Sequence, residues 1–138
     1  LGNPAKITST AVLTDKGIDA QTSMIFDYAD GAQAVLNTTM IEQTPCRAVV
    51  AGLNGWLEID RTFYNPASMR VIMNDGVVTE YPKVYVGHGL REQAEVFKQL
   101  VTSGQLQSQI LYWQDTVDIM KTLDQVRSQI GLKYPFEL

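Results

Sequence analysis

The sequence has little of what most active sites are built from. Its 138 residues hold one cysteine, Cys46, and one histidine, His88. A lone cysteine excludes an internal disulfide and any cysteine-rich zinc site, and it suits a reducing, cytoplasmic compartment. A lone histidine excludes a histidine cluster, so a metal site would have to be all carboxylate, and none is expected. No apolar run approaches the ~20 residues of a membrane span, and the opening at Leu1-Gly2-Asn3-Pro4 shows no basic-then-apolar signal-peptide pattern. An initiator methionine is lacking too, which leaves open that the gene begins upstream. Positive charge is scarce: 11 Lys and Arg against 15 Asp and Glu give a net charge of -4, and the basic residues are scattered. That argues against nucleic acid or an anionic membrane surface as partner, since both are bound through clustered cations. With 45% apolar and 19% charged residues the composition is ordinary for a globular chain. The length is enough to bury roughly 70% of the unfolded surface around one core.

Periodicity divides the chain into a strand-rich part, up to about Val86, and a helical part from about Gly89. Runs rich in β-branched and aromatic residues at 7–13, 22–28, 32–40, 47–51, 56–60, 69–73 and 77–81 read as strands. Three dipeptides between such runs, Asp30-Gly31, Asn54-Gly55 and Asp75-Gly76, signal hairpins, because Gly, Asn and Asp tolerate the positive φ of tight turns. Alternation puts Met24, Phe26, Tyr28, Ala34, Leu36 and Met40 on an apolar face. The other face is mixed, with Ile25, Val35 and Ile72 among polar neighbours, and could receive a second subunit. Leu90, Ala94, Phe97 and Val101 then recur at helical spacing with Gly104 as a left-handed stop. A second stripe, Val117, Met120, Leu123, Val126 and Ile130, has Asp115 as its expected N-cap and Gly131 as its stop, and Pro135 blocks any continuation. The expected fold is α+β: an antiparallel, mostly meander sheet of about six or seven strands with two C-terminal helices packed on one face.

Signatures of chemistry are sparse. Gly87-His88-Gly89 supplies two glycines of a dinucleotide fingerprint, but Glu92 stands where the third would be and no βαβ unit surrounds it. Neither a Walker lysine motif nor a serine nucleophile elbow occurs. His88 sits between two glycines at a strand-to-helix transition, where backbone can approach a ligand closely. It reads either as a turn residue whose ring binds a carbonyl or as a residue beside a substrate pocket. Arg91 and Glu92 follow in the first helical turn, where a glutamate is favoured by the helix dipole by roughly 0.3 to 1 kcal/mol without any further role. Trp56 and Trp113 are expected to pack in a core or interface, the methionines Met24, Met40, Met69, Met73 and Met120 in a core, and Cys46 to be inert.

In order, Leu1-Gly2-Asn3-Pro4, the segment Tyr28-Ala29-Asp30-Gly31-Ala32-Gln33-Ala34, Gly52-Leu53-Asn54-Gly55-Trp56-Leu57-Glu58-Ile59, Gly87-His88-Gly89-Leu90-Arg91 and the tail from Gln114 to Tyr134-Pro135 resemble the C-terminal domain of the Gfo/Idh/MocA oxidoreductases. The likeness spans essentially the whole chain and looks closest to the branch that includes dihydrodiol dehydrogenases. It implies hydride transfer between NAD or NADP and a sugar, polyol or related alcohol or carbonyl. It also implies that residues 1–138 are a single C-terminal substrate and oligomerisation domain, with the N-terminal Rossmann domain absent from the chain. That domain would be this one's partner, and a homo-oligomer would form through the open sheet face. The family's glycine fingerprint and Glu-Lys-Pro segment are missing, so no catalytic residue and no cofactor binding are carried over. The segment around His88, Gly89 and Glu92 is similar to the one that approaches nicotinamide and substrate, which makes these three the substrate-binding candidates. The rival expectation is a free-standing binding or scaffolding module that uses the open sheet face without redox chemistry.

Overall fold

The computed structural model describes residues 2–65, 67–84, 86–134 and 136. In chain order the elements are β1 (Lys6–Leu13), β2 (Asp19–Asp27), β3 (Gln33–Thr39), β4 (Ala48–Gly52), β5 (Gly55–Ile59), β6 (Met69–Met73), β7 (Val78–Tyr81), α1 (Leu90–Thr102) and α2 (Trp113–Ile130). Every expected strand forms, and each pairs antiparallel with its neighbour in a meander. The single sheet does not form: β1-β2-β3 make one sheet and β4-β5-β6-β7 another. The break falls at 40–47, where Pro45 has no N–H to give a ladder and Cys46 adopts a left-handed φ of 53°. The chain divides into two compact units, residues 1–43 with 107–138 and residues 44–106.

The first unit holds the buried residues. Ile7, Ala20 and Thr22 of its sheet are buried, as are Val126 on α2 and Leu132 just beyond it. The helix packs on β1, and one side chain clips it there. Gln129 Oε1 accepts from the Ser9 backbone N–H at 2.8 Å and from Ser9 Oγ at 2.7 Å, while Nε2 donates to the Ile7 carbonyl at 2.8 Å. Because β1 is an edge strand, the carboxamide takes the place of a neighbouring strand. The helix starts earlier than expected: Tyr112 is the N-cap, and Asp115, three residues on, reaches back to accept from the Tyr112 N–H at 2.9 Å. Gly131 stops it with φ 71°, and Pro135 lies outside the described residues. On the other face of the sheet Thr8, Ile25 and Val35 form an open cross-strand row, Val35 being 75% exposed. The next row is polar, with Asn37 Nδ2 donating to Ser23 Oγ at 2.9 Å. Ile72, expected on this face, belongs instead to β6 of the other sheet.

The hairpins follow from turn chemistry. At both Asp30-Gly31 and Asp75-Gly76 the aspartate accepts from the N–H two residues on, 3.0 Å in each case, and the glycine takes φ 87°. Asn54-Gly55 works differently. Gly52 pairs with Gly55, so Leu53 and Asn54 make the turn and Gly55 belongs to the strand. A fourth hairpin, closed by Thr14 and Ile18 around Gly17, joins β1 to β2.

In the second unit no described residue is buried. Contrary to expectation, α1 has no buried residue. Its apolar stripe is present but bare, with Phe97 67% exposed. Gly104 ends it as expected, at φ 69°, with Gln105 N–H donating to the Leu100 carbonyl. Three of the supposed core methionines, Met40, Met73 and Met120, are also exposed, as are Trp56 and Trp113.

Candidate functional site

Register assembles the site. Ala48, Ile59, Met69 and Tyr81 form the terminal cross-strand row of the second sheet. The entries to β4 and β6 and the exits from β5 and β7 therefore all lie at one end. Remote hydrogen bonds knit these segments together. Thr62 and Phe63 N–H both donate to the Cys46 carbonyl, at 3.0 and 3.4 Å, and Lys83 N–H donates to Ser68 Oγ at 3.0 Å. Thr62 takes φ 68°, a conformation that costs a β-branched residue about 1–3 kcal/mol and persists only where the surroundings enforce it. Asn65, in the same loop, brings Nδ2 within 3.4 Å of His88 Nδ1.

The three predicted site residues stand in consecutive turns here. His88 is exposed between Gly87 and Gly89, whose φ values of 86° and 81° are both left-handed. Gly89 is the N-cap of α1, and its carbonyl accepts from Gln93 N–H at 3.0 Å. Glu92, in the first turn, is held below the ordinary carboxylate range, first by its own backbone N–H and then by Arg91, whose Nη2 donates to Oε1 at 2.7 Å. An ionised carboxylate in that place can accept a hydrogen bond from a hydroxyl but has no proton to give. Its Oε2 is shielded from solvent and has no hydrogen-bond partner among the described residues. Sequence reading missed Asn65, Ser68 and Lys83. In the sequence Asn65-Pro66 is a turn signal for one of their loops, and nothing in it points to His88.

At the same end a cavity of about 250 Å³ is lined by Asp60, Ser68, Arg70, Glu80 and Tyr81 among others. In the first unit a larger, mainly apolar cavity of about 390 Å³ is lined by Thr22, Met24, Met120, Leu123, Arg127 and Tyr134 among others. None of the three predicted residues lines either cavity. The residues present do not fit a nicotinamide dinucleotide: Glu92 occupies the third glycine's place, and β7, the strand before the glycine pair, is an antiparallel edge strand.

Beside the cavity, Glu58 Oε2 receives Arg70 Nη2 at 2.6 Å while Oε1 receives Trp56 Nε1 at 2.9 Å. These two bonds, the tryptophan's first, hold the Glu58 carboxyl below its ordinary 4.5. A carboxylate so lowered lends stability above its unfolded value and loses it as pH falls through the folded one. In a Trp113→Phe chain, Trp56 emission should therefore change on acidification with a midpoint below 4.5. Glu58→Gln should remove the transition; a midpoint at or above the ordinary value would contradict the assignment.

No family model matches the chain. It is 28% identical to the trans-1,2-dihydrobenzene-1,2-diol dehydrogenase of Xenopus tropicalis, over 96% of this chain and 42% of that protein. It is 25% identical to the scyllo-inositol 2-dehydrogenase (NADP(+)) IolU of Bacillus subtilis (strain 168), over 97% of this chain and 40% of that protein. The chain thus spans about two fifths of the length of the curated relatives it matches. Among solved structures, the aldose-aldose oxidoreductase of Caulobacter crescentus superposes with a TM-score of 0.75 at 15% identity, over 94% of this chain and 39% of that one. The UDP-N-acetylglucosamine 3-dehydrogenase GnnA of Acidithiobacillus ferrooxidans gives 0.77 at 11% identity, over 93% of this chain and 41% of that one. The fold is shared with these oxidoreductases.

Proposed function

We propose, from the premise that this chain is similar to the C-terminal portion of Gfo/Idh/MocA oxidoreductases, that it is the C-terminal substrate and oligomerisation domain of a cytoplasmic, NAD(P)-dependent enzyme. The substrate class is a sugar, polyol or related alcohol or carbonyl. The observation that carries this reading is a match along 96% of the chain to 42% of a diol dehydrogenase. In it, His88, Gly89 and Glu92 line one side of a substrate cleft. Glu92 accepts from a substrate hydroxyl, and Gly89, lacking a side chain, lets the ligand come close to the start of α1. The nicotinamide cofactor belongs to a Rossmann domain outside this chain, so these residues bind and orient substrate and transfer no hydride. The open row of Thr8, Ile25 and Val35 is the self-association face, which is consistent with its exposure.

Titrating NADH and NADPH against the isolated chain by fluorescence or calorimetry tests this directly. No saturable micromolar binding is expected, and such binding would defeat the assignment of cofactor to another domain. Sedimentation of the same sample should show species larger than the monomer, reverting to monomer in an Ile25→Asp, Val35→Asp double variant. Monomer throughout would remove the oligomerisation role.

A further inference from the structure

His88 is the chain's single histidine, and its Nδ1 is met from a loop remote in sequence by Asn65 Nδ2 at 3.4 Å. An amide nitrogen can only donate, so this pairing requires Nδ1 as the acceptor and a neutral ring with its proton on Nε2. Both loops are tied by hydrogen bonds of their own. Asn65 N–H closes a turn onto the Thr62 carbonyl at 2.8 Å, and Lys83 ties the other loop by donating its N–H to Ser68 Oγ and its Nζ to the Gly87 carbonyl at 3.2 Å. The left-handed glycines on either side fix where the His88 peptide can sit. His88 is exposed, and Nε2 has no hydrogen-bond partner among the described residues.

We infer that Asn65 is a positioning residue: it locks His88 in the Nε2–H tautomer and turns that N–H outward as the donor for a ligand oxygen, the hydroxyl or carbonyl oxygen of a polyol-like substrate. The pairing stands on geometry alone, while the ligand rests on the substrate-cleft reading above. A group in this role orients substrate and does not supply the reaction's proton.

One imidazole in the chain makes the test unambiguous. Long-range proton–nitrogen correlation spectra of the histidine-labelled chain, recorded where the ring is neutral, read the tautomer directly. The native chain should show the Nε2–H pattern. Asn65→Asp should invert it, because a carboxylate at Nδ1 can only accept and so draws the proton there. Asn65→Ala should relax the ratio towards that of a free imidazole, with backbone amide spectra of both variants confirming that they fold. Adding scyllo-inositol to the native chain should shift the Nε2 resonance. An Nδ1–H pattern in the native chain, or no inversion in Asn65→Asp, overturns the pairing. Inversion without any response to the polyol overturns the donor role and leaves the pairing intact.

Discussion

Gly55→Ala should unfold the second sheet at a far lower urea concentration than the native chain, with a loss of about 3–5 kcal/mol. The reason is steric and local. A Cβ on Gly55 would lie 2.2 Å from the Ile72 carbonyl oxygen and 2.9 Å from the Met73 Cα, and the residue's φ of 157° is one that L side chains rarely adopt. Both obstructing atoms are backbone of β6, so no rotamer change relieves the clash and the β5–β6 ladder must part at the Gly55–Met73 pair. Gly52→Ala, across the same hairpin, is the control. Its Cβ would meet only the Gly55 carbonyl oxygen, at an ordinary 3.6 Å, and should cost less than about 1 kcal/mol. Urea unfolding followed through Trp56 in a Trp113→Phe background measures both. Equal losses would refute the close approach of β6.

Gln129→Ala should weaken the first unit by about 1.5–3 kcal/mol, because three hydrogen bonds are lost together while water recovers part of the deficit. The informative comparison is Gln129→Glu. A glutamate keeps the acceptor for both Ser9 donors but cannot donate to the Ile7 carbonyl, and it sets a negative charge against that oxygen. If the carboxamide acts as a surrogate strand residue, glutamate should be no better than alanine at neutral pH. Hydrogen exchange at the Ser9 amide should accelerate in both variants. A fully stable Gln129→Glu chain would reduce the clip to a solvent-side contact.

The strands were legible because apolar and polar residues alternate along them and because Asp30-Gly31 and Asp75-Gly76 state their turns in their own side-chain chemistry. Alternation reports which face a residue takes and not which strand lies beside it. Hence Ile25 and Ile72 read as one surface although they belong to separate sheets. The stripe of α1 was equally legible, but amphipathicity records a face that can be covered, and the cover need not come from this chain. Asp115 was recognised as helix-starting chemistry and misplaced by one role, since an aspartate serves as N-cap or as the third residue reaching back to it. His88 and its glycines could be read from sequence. Asn65 could not, because its contact to His88 is made by two loops 23 residues apart that meet only once β5, β6 and β7 are in register.

The absence of any buried residue among those described between Thr44 and Leu106 makes this segment a gauge of its surroundings. A body with little interior of its own takes its stability from whatever binds its folded form, as RT ln(1 + [L]/Kd). A covering surface present at a hundred times its dissociation constant adds about 2.7 kcal/mol, a large part of the 5–15 kcal/mol typical of a whole domain. The melting of the β4–β7 sheet, followed through Trp56, should then rise with each increment of bound partner. Occupancy of the bare faces becomes measurable as a temperature, before the partner's chemistry is known.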